Sequence, residues 1–397
     1  MRRAAVAALA VALVAPATAA ASLQTALERA LSVPHVSLAA TGAVVLDLDT
    51  GQTVYSRNAN LSLLPASNEK LAVTYAALTA LGPSFTIETD VLGEGTQTAA
   101  TWTGDLVLKG YGDPTLSRAG LMSLARQVRA DGITRVTGRI LGDESWFDSR
   151  RMAVGWKAAF YINESPPLSA LIVDRGWVGH YTSRDPALAA AQIFRADLIK
   201  AGVSVSHDAA HGTADDGATP LASIDSPTLA TIVHAMDRVS DNFYAEMLVK
   251  ELGAVQGDAG TTAAGVGVIT GLLAQAGVPL TGVRLVDGSG LSLLDRCTPA
   301  SLAALLTTMW NDTDVRWELL SSLPVAGRTG TLDHRMRTGP AAGVVRAKTG
   351  TTDNASALSG FVGSRYVFSI LQNGWPVSWT WARLAQDRFA TVLAAAQ

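Results

Sequence analysis

The residues best suited to chemistry lie in three short motifs, the first of which is Ser67-Asn68-Glu69-Lys70. Residues three apart on a helix share a face, so the Lys70 amine can lie beside the Ser67 hydroxyl. Serine becomes a good nucleophile only when an adjacent base takes its proton. Lysine can be that base when burial or nearby cations lower its pKa. In isolation, the motif fits a capping serine followed by a solvated lysine much better than a catalytic pair.

The second motif is Ser240-Asp241-Asn242. The Ser240 hydroxyl can relay a proton to a leaving amine, and the Asn242 amide can hold both the Lys70 amine and a substrate carbonyl. Taken alone, the same residues are typical of a helix break with an aspartate cap. The string Ser56-Arg57-Asn58 also matches S-x-N, but it precedes the nucleophile and lies at the exit of a predicted hairpin.

The third motif, Lys348-Thr349-Gly350, lies on a stretch that alternates like a strand. Lys348 would place a positive charge where a substrate carboxylate binds, and Thr349 would hydrogen-bond the same group. Gly350 lets a substrate backbone lie against the strand edge. The next backbone N–H, of Thr351, can join that of Ser67 as an oxyanion hole. The alternative is an edge strand with one exposed lysine.

S-x-x-K, S-D-N and K-T-G occur here in that order, and together they are the signature of penicillin-binding proteins and class A β-lactamases. Their joint occurrence predicts an active-serine acyl-transfer enzyme. The predicted catalytic residues are Ser67, Lys70, Ser240, Asn242 and Lys348. The predicted substrate-binding residues are Thr349, Gly350 and Thr351.

Hydrophobic patterning predicts the elements that position these motifs. A hairpin over 41–56 precedes a helix over 68–81, so Ser67 falls at a helix start. Strands over 343–349, 358–362 and 366–371 follow near the other end of the chain. Helices are predicted at 227–238, from the break at 240–242 to residue 252, and at 261–276, 299–311, 315–322 and 378–394. The predicted fold class is therefore α/β (α+β), with strands from both chain ends in one antiparallel sheet flanked by helices.

The texture changes between residues 85 and 220, where short strand-like runs alternate with Gly, Asp and Pro. One helix is predicted there, over 186–201, and a polar linker over 206–219. We therefore expect a mostly-β accessory domain at 85–220, inserted into a catalytic domain formed by 22–84 plus 221–397.

Beyond the three motifs, the chain resembles the D-Ala-D-Ala carboxypeptidase/endopeptidase family, the low-molecular-mass class C penicillin-binding proteins. The resemblance runs from about Leu38 to the C-terminus, and an insertion between the first two motifs is typical of this family but not of class A β-lactamases. The matching stretches are Pro65-Ala66-Ser67-Asn68-Glu69-Lys70, Gly112-Asp113-Pro114-Thr115-Leu116, Val239-Ser240-Asp241-Asn242-Phe243-Tyr244-Ala245-Glu246, Asp287-Gly288-Ser289-Gly290-Leu291-Ser292, Leu323-Pro324-Val325-Ala326-Gly327 and Val345-Arg346-Ala347-Lys348-Thr349-Gly350-Thr351.

The resemblance implies a β-lactamase/transpeptidase-like catalytic domain and assigns roles to the matching positions. Ser67 would be acylated by the penultimate D-Ala carbonyl of a peptidoglycan stem peptide, or of a D-Ala-meso-diaminopimelate cross-link. Lys70 would be the base, and Lys348 and Thr349 would bind the terminal carboxylate. β-Lactam antibiotics would acylate Ser67 because they mimic the dipeptide.

The sequence departs from the family pattern at two places. Leu293 follows Gly-Leu-Ser, where the family often has arginine, and Lys157-Ala158-Ala159 follows Gly155-Trp156, where acidic residues are common. The resemblance therefore does not fix which stem-peptide side chain is recognised.

The N-terminus has the pattern of a secretory signal peptide over residues 1–21. Arg2 and Arg3 precede an apolar run from Ala4 to Ala15 and then a series of small residues; a first core helix or a membrane anchor is the alternative. No later stretch reaches the ~18 apolar residues of a membrane helix. These features predict an extracytoplasmic protein, periplasmic or secreted to the cell wall, with no membrane span after signal cleavage.

Composition excludes several other classes. The net charge is −3 with no long basic run, so no nucleic-acid partner is expected. Cys297 is the single cysteine, so no disulfide can form within the chain. His207 and His211 have the spacing of a zinc helix, but aspartate replaces the usual glutamate and Gly212 follows. No metal or cofactor is predicted.

Two alternatives keep the same nucleophile: a weakly active penicillin-binding protein and a β-lactamase. Neither contradicts the motifs, because both differ from the peptidase only in turnover. The sequence offers no dedicated deacylation base, so a slowly hydrolysed penicilloyl-enzyme is expected. A Ser-His-Asp hydrolase has little support, since no G-x-S-x-G string occurs.

Overall fold

The structure is a computed structural model that describes residues 15–397, with side chains from Ser22 onward. The predicted signal peptide, residues 1–21, lies outside the residues whose side chains are described. The first helix begins at Ala15 and runs to Leu31. Among the described residues, no helix combines the length and apolar character needed to cross a membrane.

The helices and strands are numbered in the order in which they occur along the chain. The helices are α1 Ala15–Leu31, α2 Lys70–Leu81, α3 Arg118–Ala130, α4 Pro186–Lys200, α5 Leu229–Val239, α6 Asn242–Gln256, α7 Thr262–Gln275, α8 Pro299–Asn311, α9 Thr313–Ser322 and α10 Trp379–Ala395. The strands are β1 Thr41–Asp47, β2 Thr53–Arg57, β3 Glu88–Thr98, β4 Thr101–Gly110, β5 Arg135–Val136, β6 Ile140–Asp143, β7 Trp177–Val178, β8 Tyr181–Thr182, β9 Ser204–Val205, β10 Ala210–His211, β11 Thr219–Asp225, β12 Val345–Thr351, β13 Ala355–Val362 and β14 Tyr366–Asn373.

Strands from the two ends of the chain form one antiparallel sheet in the order β12-β13-β14-β1-β2. Alternate residues of β14 enter different cores: Val367 and Leu371 pack with α2 and α8, whereas Phe368 and Ile370 pack with α1 and α10. A sheet covered on both faces explains why every residue of β13 is buried. β12 remains at the edge of this sheet, and residues 324–326 pair with its first half.

The block between α2 and α5 forms a second sheet, with strand order β10-β6-β4-β3-β11 and with β5 and β9 beside it. β3 and β4 are an antiparallel hairpin, while β4–β6 and β6–β10 are parallel. α3 was not predicted, although Leu121, Leu124, Ala125 and Val128 give it one buried face. The stretch expected to be a linker contains β10, and β11 extends the sheet to Asp225.

The two sheets are joined through α6. Phe147, Leu168 and Ile172 of the inserted block pack against Phe243 and Met247 of that helix. Polar contacts reinforce this interface: Lys250 is paired with Asp148, and Trp146 Nε1 donates to Glu251 Oε2 at 2.9 Å. Because α6 begins at Asn242, the inserted block packs against the helix that starts with the last residue of the second motif.

Glu251 should make the stability of this interface depend on pH. Its side chain is buried, and burial raises its pKa to about 7 from 4.5. The folded protein therefore holds a proton in this window that the unfolded chain has released, so stability falls as pH rises from 4.5 to 7. Between pH 5 and pH 8 the free energy of unfolding of the wild type should fall by up to about 3 kcal/mol through this group, and Glu251→Gln should remove that fall. Urea-unfolding midpoints at the two pH values measure it.

Glu88, an exposed glutamate on β3, provides the matched control when changed to glutamine. The Glu88 variant should keep the pH slope of the wild type. Parallel slopes for the wild type and Glu251→Gln would show that the buried carboxyl does not carry this proton.

Candidate active site

Ser67 lies in a tight turn directly before α2. Residues Ala66–Glu69 form a 3-10 turn that continues into the helix, and Ala66 has a left-handed backbone with φ of 46°. Gly290 packs against this turn with φ of 77°, and a Cβ there would lie 2.0 Å from the Ala66 carbonyl oxygen. Only glycine permits this approach. The loop around Gly290 thereby sets the position of the Ser67 hydroxyl.

The Lys70 amine lies at the centre of a group of oxygen atoms. Its Nζ is 3.0 Å from Ser67 Oγ, 2.9 Å from Asn242 Oδ1 and 2.6 Å from the carbonyl oxygen of Ser289. Lys70 has no exposed surface. A neutral amine has two hydrogens and one lone pair. The two carbonyl-type oxygens can accept the hydrogens, which leaves the lone pair facing Ser67.

Lys348 approaches the same place from β12. Its Nζ donates to Ser240 Oγ at 2.7 Å and to the carbonyl oxygen of Thr349 at 3.1 Å. The Asn68 side chain ties the strand to the nucleophile turn, since its Nδ2 donates to the Lys348 carbonyl oxygen at 3.0 Å. The three motifs therefore share one hydrogen-bonded network, with each motif supplied by a different element.

Local backbone geometry explains how the second motif presents its side chains. Ser240 ends α5 in a left-handed conformation with φ of 63°, which turns the chain sharply before α6. Asp241 caps α6, because its Oδ1 accepts from the Tyr244 N–H at 3.1 Å. The helix break expected from the sequence and the catalytic arrangement are thus the same structure.

The inserted block holds this turn from outside. Arg175 makes a bidentate pair with Asp241, at 2.7 and 3.3 Å, and its guanidinium stacks over the ring of Phe243 at 5.1 Å. In addition, Asn242 Nδ2 donates to the Glu164 carbonyl oxygen at 3.1 Å. Both contacts join residues far apart in the chain, so neither left a signal that could be found in the sequence.

A cleft of about 470 Å³ opens over these groups. β12 forms one wall, where Thr349 Oγ1 lies 2.7 Å from Thr331 Oγ1. Gly350 packs close to the nucleophile turn, since a Cβ there would lie 2.9 Å from the Pro65 carbonyl oxygen. The lining residues are Ser67, Glu164, Ser240, Asn242, Leu291, Thr331, Asp333, His334, Arg335, Thr349, Thr351 and Arg383.

Burial controls the charge of both lysines. It lowers the pKa of Lys70 to about 8, even though Asp287 and Glu246 oppose the shift. It lowers the pKa of Lys348 to about 7, with the neighbouring Lys70 charge as the second cause. Neutral amine is therefore accessible near physiological pH, as a lysine base requires.

Three buried carboxyl groups behind the lysines, those of Glu69, Asp287 and Asp295, have oxygens within 4.8 Å of one another. Asp287 is already committed, because it accepts hydrogen bonds from Trp156 Nε1 and the Gly290 N–H, both at 2.7 Å. Burial, followed by repulsion from neighbouring carboxylates, raises the pKa of Asp295 to about 10 and that of Glu69 well above its usual value. Burial thus disfavours the ionised form of both groups, which argues against a cation site.

His207 and His211 are not arranged as a zinc helix. His211 lies in β10 and is 2.9 Å from Asp185, while His207 lies in the loop before that strand. Cys297 is buried and unpaired, and its backbone pairs with Leu63. These residues contribute to structure rather than to the cleft.

The fold is that of a penicillin-binding protein. The crystal structure of penicillin binding protein 4 (dacB) from Haemophilus influenzae superposes with a TM-score of 0.81 at 21% identity, covering 95% of this chain and 98% of that one. The same protein has also been crystallised with a β-lactam. The predicted fold class is confirmed.

The chain belongs to the D-Ala-D-Ala carboxypeptidase 3 (S13) family, whose model matches residues 23–182 and 179–396. The D-alanyl-D-alanine carboxypeptidase of an Actinomadura species is 32% identical over an alignment of 433 positions, gaps included, which covers 87% of this chain and 79% of that protein. Carboxypeptidase DacB of Mycolicibacterium smegmatis is 32% identical over an alignment of 398 positions, gaps included, which covers 94% of this chain and 83% of that protein. The protein is therefore a serine-type D-Ala-D-Ala carboxypeptidase, and the resemblance drawn from the sequence is confirmed.

Acylation of the enzyme should accelerate as pH rises toward 8. Below that value the pKa of Lys70 leaves most of the amine protonated and unable to take the Ser67 proton. The second-order rate constant for acylation by a chromogenic penicillin should rise up to about tenfold per pH unit between pH 5 and 7 and level off above pH 8. A rate that is flat over this range would contradict a lysine base.

Arg175 should act as a positioning residue. Arg175→Gln removes the bidentate pair with Asp241, so Ser240 and Asn242 lose their alignment, and acylation should slow roughly ten- to a hundredfold. Arg195→Gln on α4 is the matched control, because Arg195 bonds only the His207 carbonyl and the exposed Asp208. If both variants acylate at the wild-type rate, the pair between Arg175 and Asp241 does not position the motif.

Proposed function

We propose that Ser67 is the nucleophile of a DD-peptidase that cleaves the D-Ala-D-Ala end of peptidoglycan stem peptides through an acyl-enzyme. The observation that carries the proposal is the 3.0 Å contact between Ser67 Oγ and the fully buried Lys70 amine, at the floor of an open cleft. Membership of the carboxypeptidase family supports the substrate.

In the proposed acylation, Lys70 takes the Ser67 proton while Oγ attacks the carbonyl carbon of the penultimate D-Ala. The oxyanion is stabilised by the backbone N–H groups of Ser67 and Thr351. Ser240 gives its hydroxyl proton to the nitrogen of the departing D-Ala and takes a proton back from the Lys348 ammonium, to which it is hydrogen-bonded. The C–N bond breaks, D-Ala leaves, and the remaining peptide is esterified to Ser67.

Deacylation repeats the chemistry with water as the nucleophile, and it regenerates the Ser67 hydroxyl. A β-lactam would follow the same first step, but its leaving amine stays attached to the acyl group. The described part of the site places no further carboxylate in contact with Ser67, which supports slow hydrolysis of a penicilloyl-enzyme. The β-lactam complex of the Haemophilus influenzae protein supports penicillin binding in this fold.

The proposal extends to domain roles and to location. We assign catalysis to 22–84 plus 221–397, and we assign to the accessory block, 85–220, the support of the second motif through Arg175. The enzyme would act outside the cytoplasm, where its substrate lies. Cleavage of D-Ala-meso-diaminopimelate cross-links, the endopeptidase activity, would use the same acyl-enzyme. The signal-peptide pattern supports this location.

Labelling with a fluorescent penicillin tests the nucleophile. Ser67→Ala should lose covalent labelling completely, and mass spectrometry of the wild-type adduct should place the penicilloyl group on the peptide that contains Ser67. Ser62→Ala is the matched control, because Ser62 is an exposed serine that bonds the Gly282 carbonyl oxygen. Undiminished labelling of Ser67→Ala would end the assignment.

Turnover then separates the candidate activities. The wild type should release D-Ala from a pentapeptide ending in D-Ala-D-Ala, and Ser67→Ala should not. Labelling without D-Ala release would favour a penicillin-binding protein with little peptidase activity. Rapid hydrolysis of nitrocefin would favour a β-lactamase.

A further inference from the structure

The guanidinium of Arg383 reaches the cleft from α10, an element that carries none of the three motifs. Arg383 lines the same cleft as Ser67 and Thr349. Its Nη2 atom donates to Thr351 Oγ1 at 3.4 Å. Because that oxygen already accepts a hydrogen bond, the Thr351 hydroxyl proton is free to point into the cleft.

The other cations around the cleft are committed to protein acceptors. The Lys70 amine is in contact with three oxygen atoms. The Lys348 amine is bonded to Ser240 Oγ and to a backbone carbonyl. Arg335, which also lines the cleft, is paired with Asp387 at 2.7 Å. None of these three has a free charge to offer a ligand.

Arg383 differs from them. Across the described range, 22–397, its guanidinium makes no ion pair with a carboxylate, and its side chain is exposed at the cleft. Partial burial, followed by the neighbouring Arg335 charge, lowers its pKa. An unpaired guanidinium beside a like charge is a favourable place for an anion, because the anion gains charge-assisted hydrogen bonds and relieves the repulsion.

We infer that Arg383 binds the carboxylate of the substrate's leaving group, together with the hydroxyl of Thr351. The inference rests on the proposed function, in which a D-amino acid departs along β12. Arginine presents paired N–H donors that match the two oxygens of a carboxylate. The charge for the carboxylate then comes from α10, and Lys348 is left to orient the Ser240 proton relay.

The test compares two thioester substrates that differ only in this charge. One is an N-acyl-D-alanyl thioglycolate, whose leaving group carries a carboxylate, and the other is its methyl ester; thiol release measures kcat/KM for both. Arg383→Gln should lower kcat/KM for the carboxylate substrate roughly three- to tenfold and leave the ester unchanged. Arg383→Lys should restore part of the loss.

Arg388→Gln is the matched control, because Arg388 is exposed on the same helix and lies outside the cleft. It should leave both substrates unaffected. Equal loss on both substrates, or no loss on either, in Arg383→Gln would overturn the inference while the wild type still turns over. Failure of the wild type to release thiol from either substrate would instead overturn the proposed function.

Discussion

The rest of this structure depends on two buried lysine amines that belong to one hydrogen-bonded network. Lys70 and Lys348 have no exposed surface, yet both carry a strongly polar group that burial penalises. The protein meets this cost with oxygen acceptors, which satisfy the amine hydrogens, and with lowered pKa values, which reduce the charge to be buried. The same two devices produce a lysine that can accept a proton from serine. The features that make the buried amines tolerable are thus the same ones that allow Lys70 to act as a base.

The surrounding carboxyl groups affect the charge of this buried region. Asp287 and Glu246 oppose the lowering of the Lys70 pKa, while each is held by backbone N–H groups of the loop that presses on the nucleophile turn. Glu246 itself has a pKa raised to about 8, so it need not carry a full charge. Further back, burial also raises the pKa values of Glu69 and Asp295, which disfavours charge on both groups. The result is a buried polar region whose net charge remains small.

The inserted block takes part in this arrangement as well. Arg175 in this block forms an ion pair with Asp241, and the interface with α6 fixes the helix that begins at Asn242. A connection that leaves the catalytic fold between the first two motifs therefore returns to hold the second one. This explains why a long insertion can be accommodated at that point without separating the residues that meet in the cleft.

Local sequence determined much of the fold and the identity of the motif residues. Alternating apolar residues define strands, glycine at 82 stops α2, and S-x-x-K at a helix start orients its own serine and lysine, because these features depend on near neighbours. The same patterning in α3 went unrecognised within a block dominated by strands. Tertiary structure alone decided that Asn68 meets Lys348, 280 positions away, and that Arg175, the Ser289 carbonyl and Arg383 border the site. Contacts of this kind arise when separate elements pack together, so no short stretch of sequence contains them.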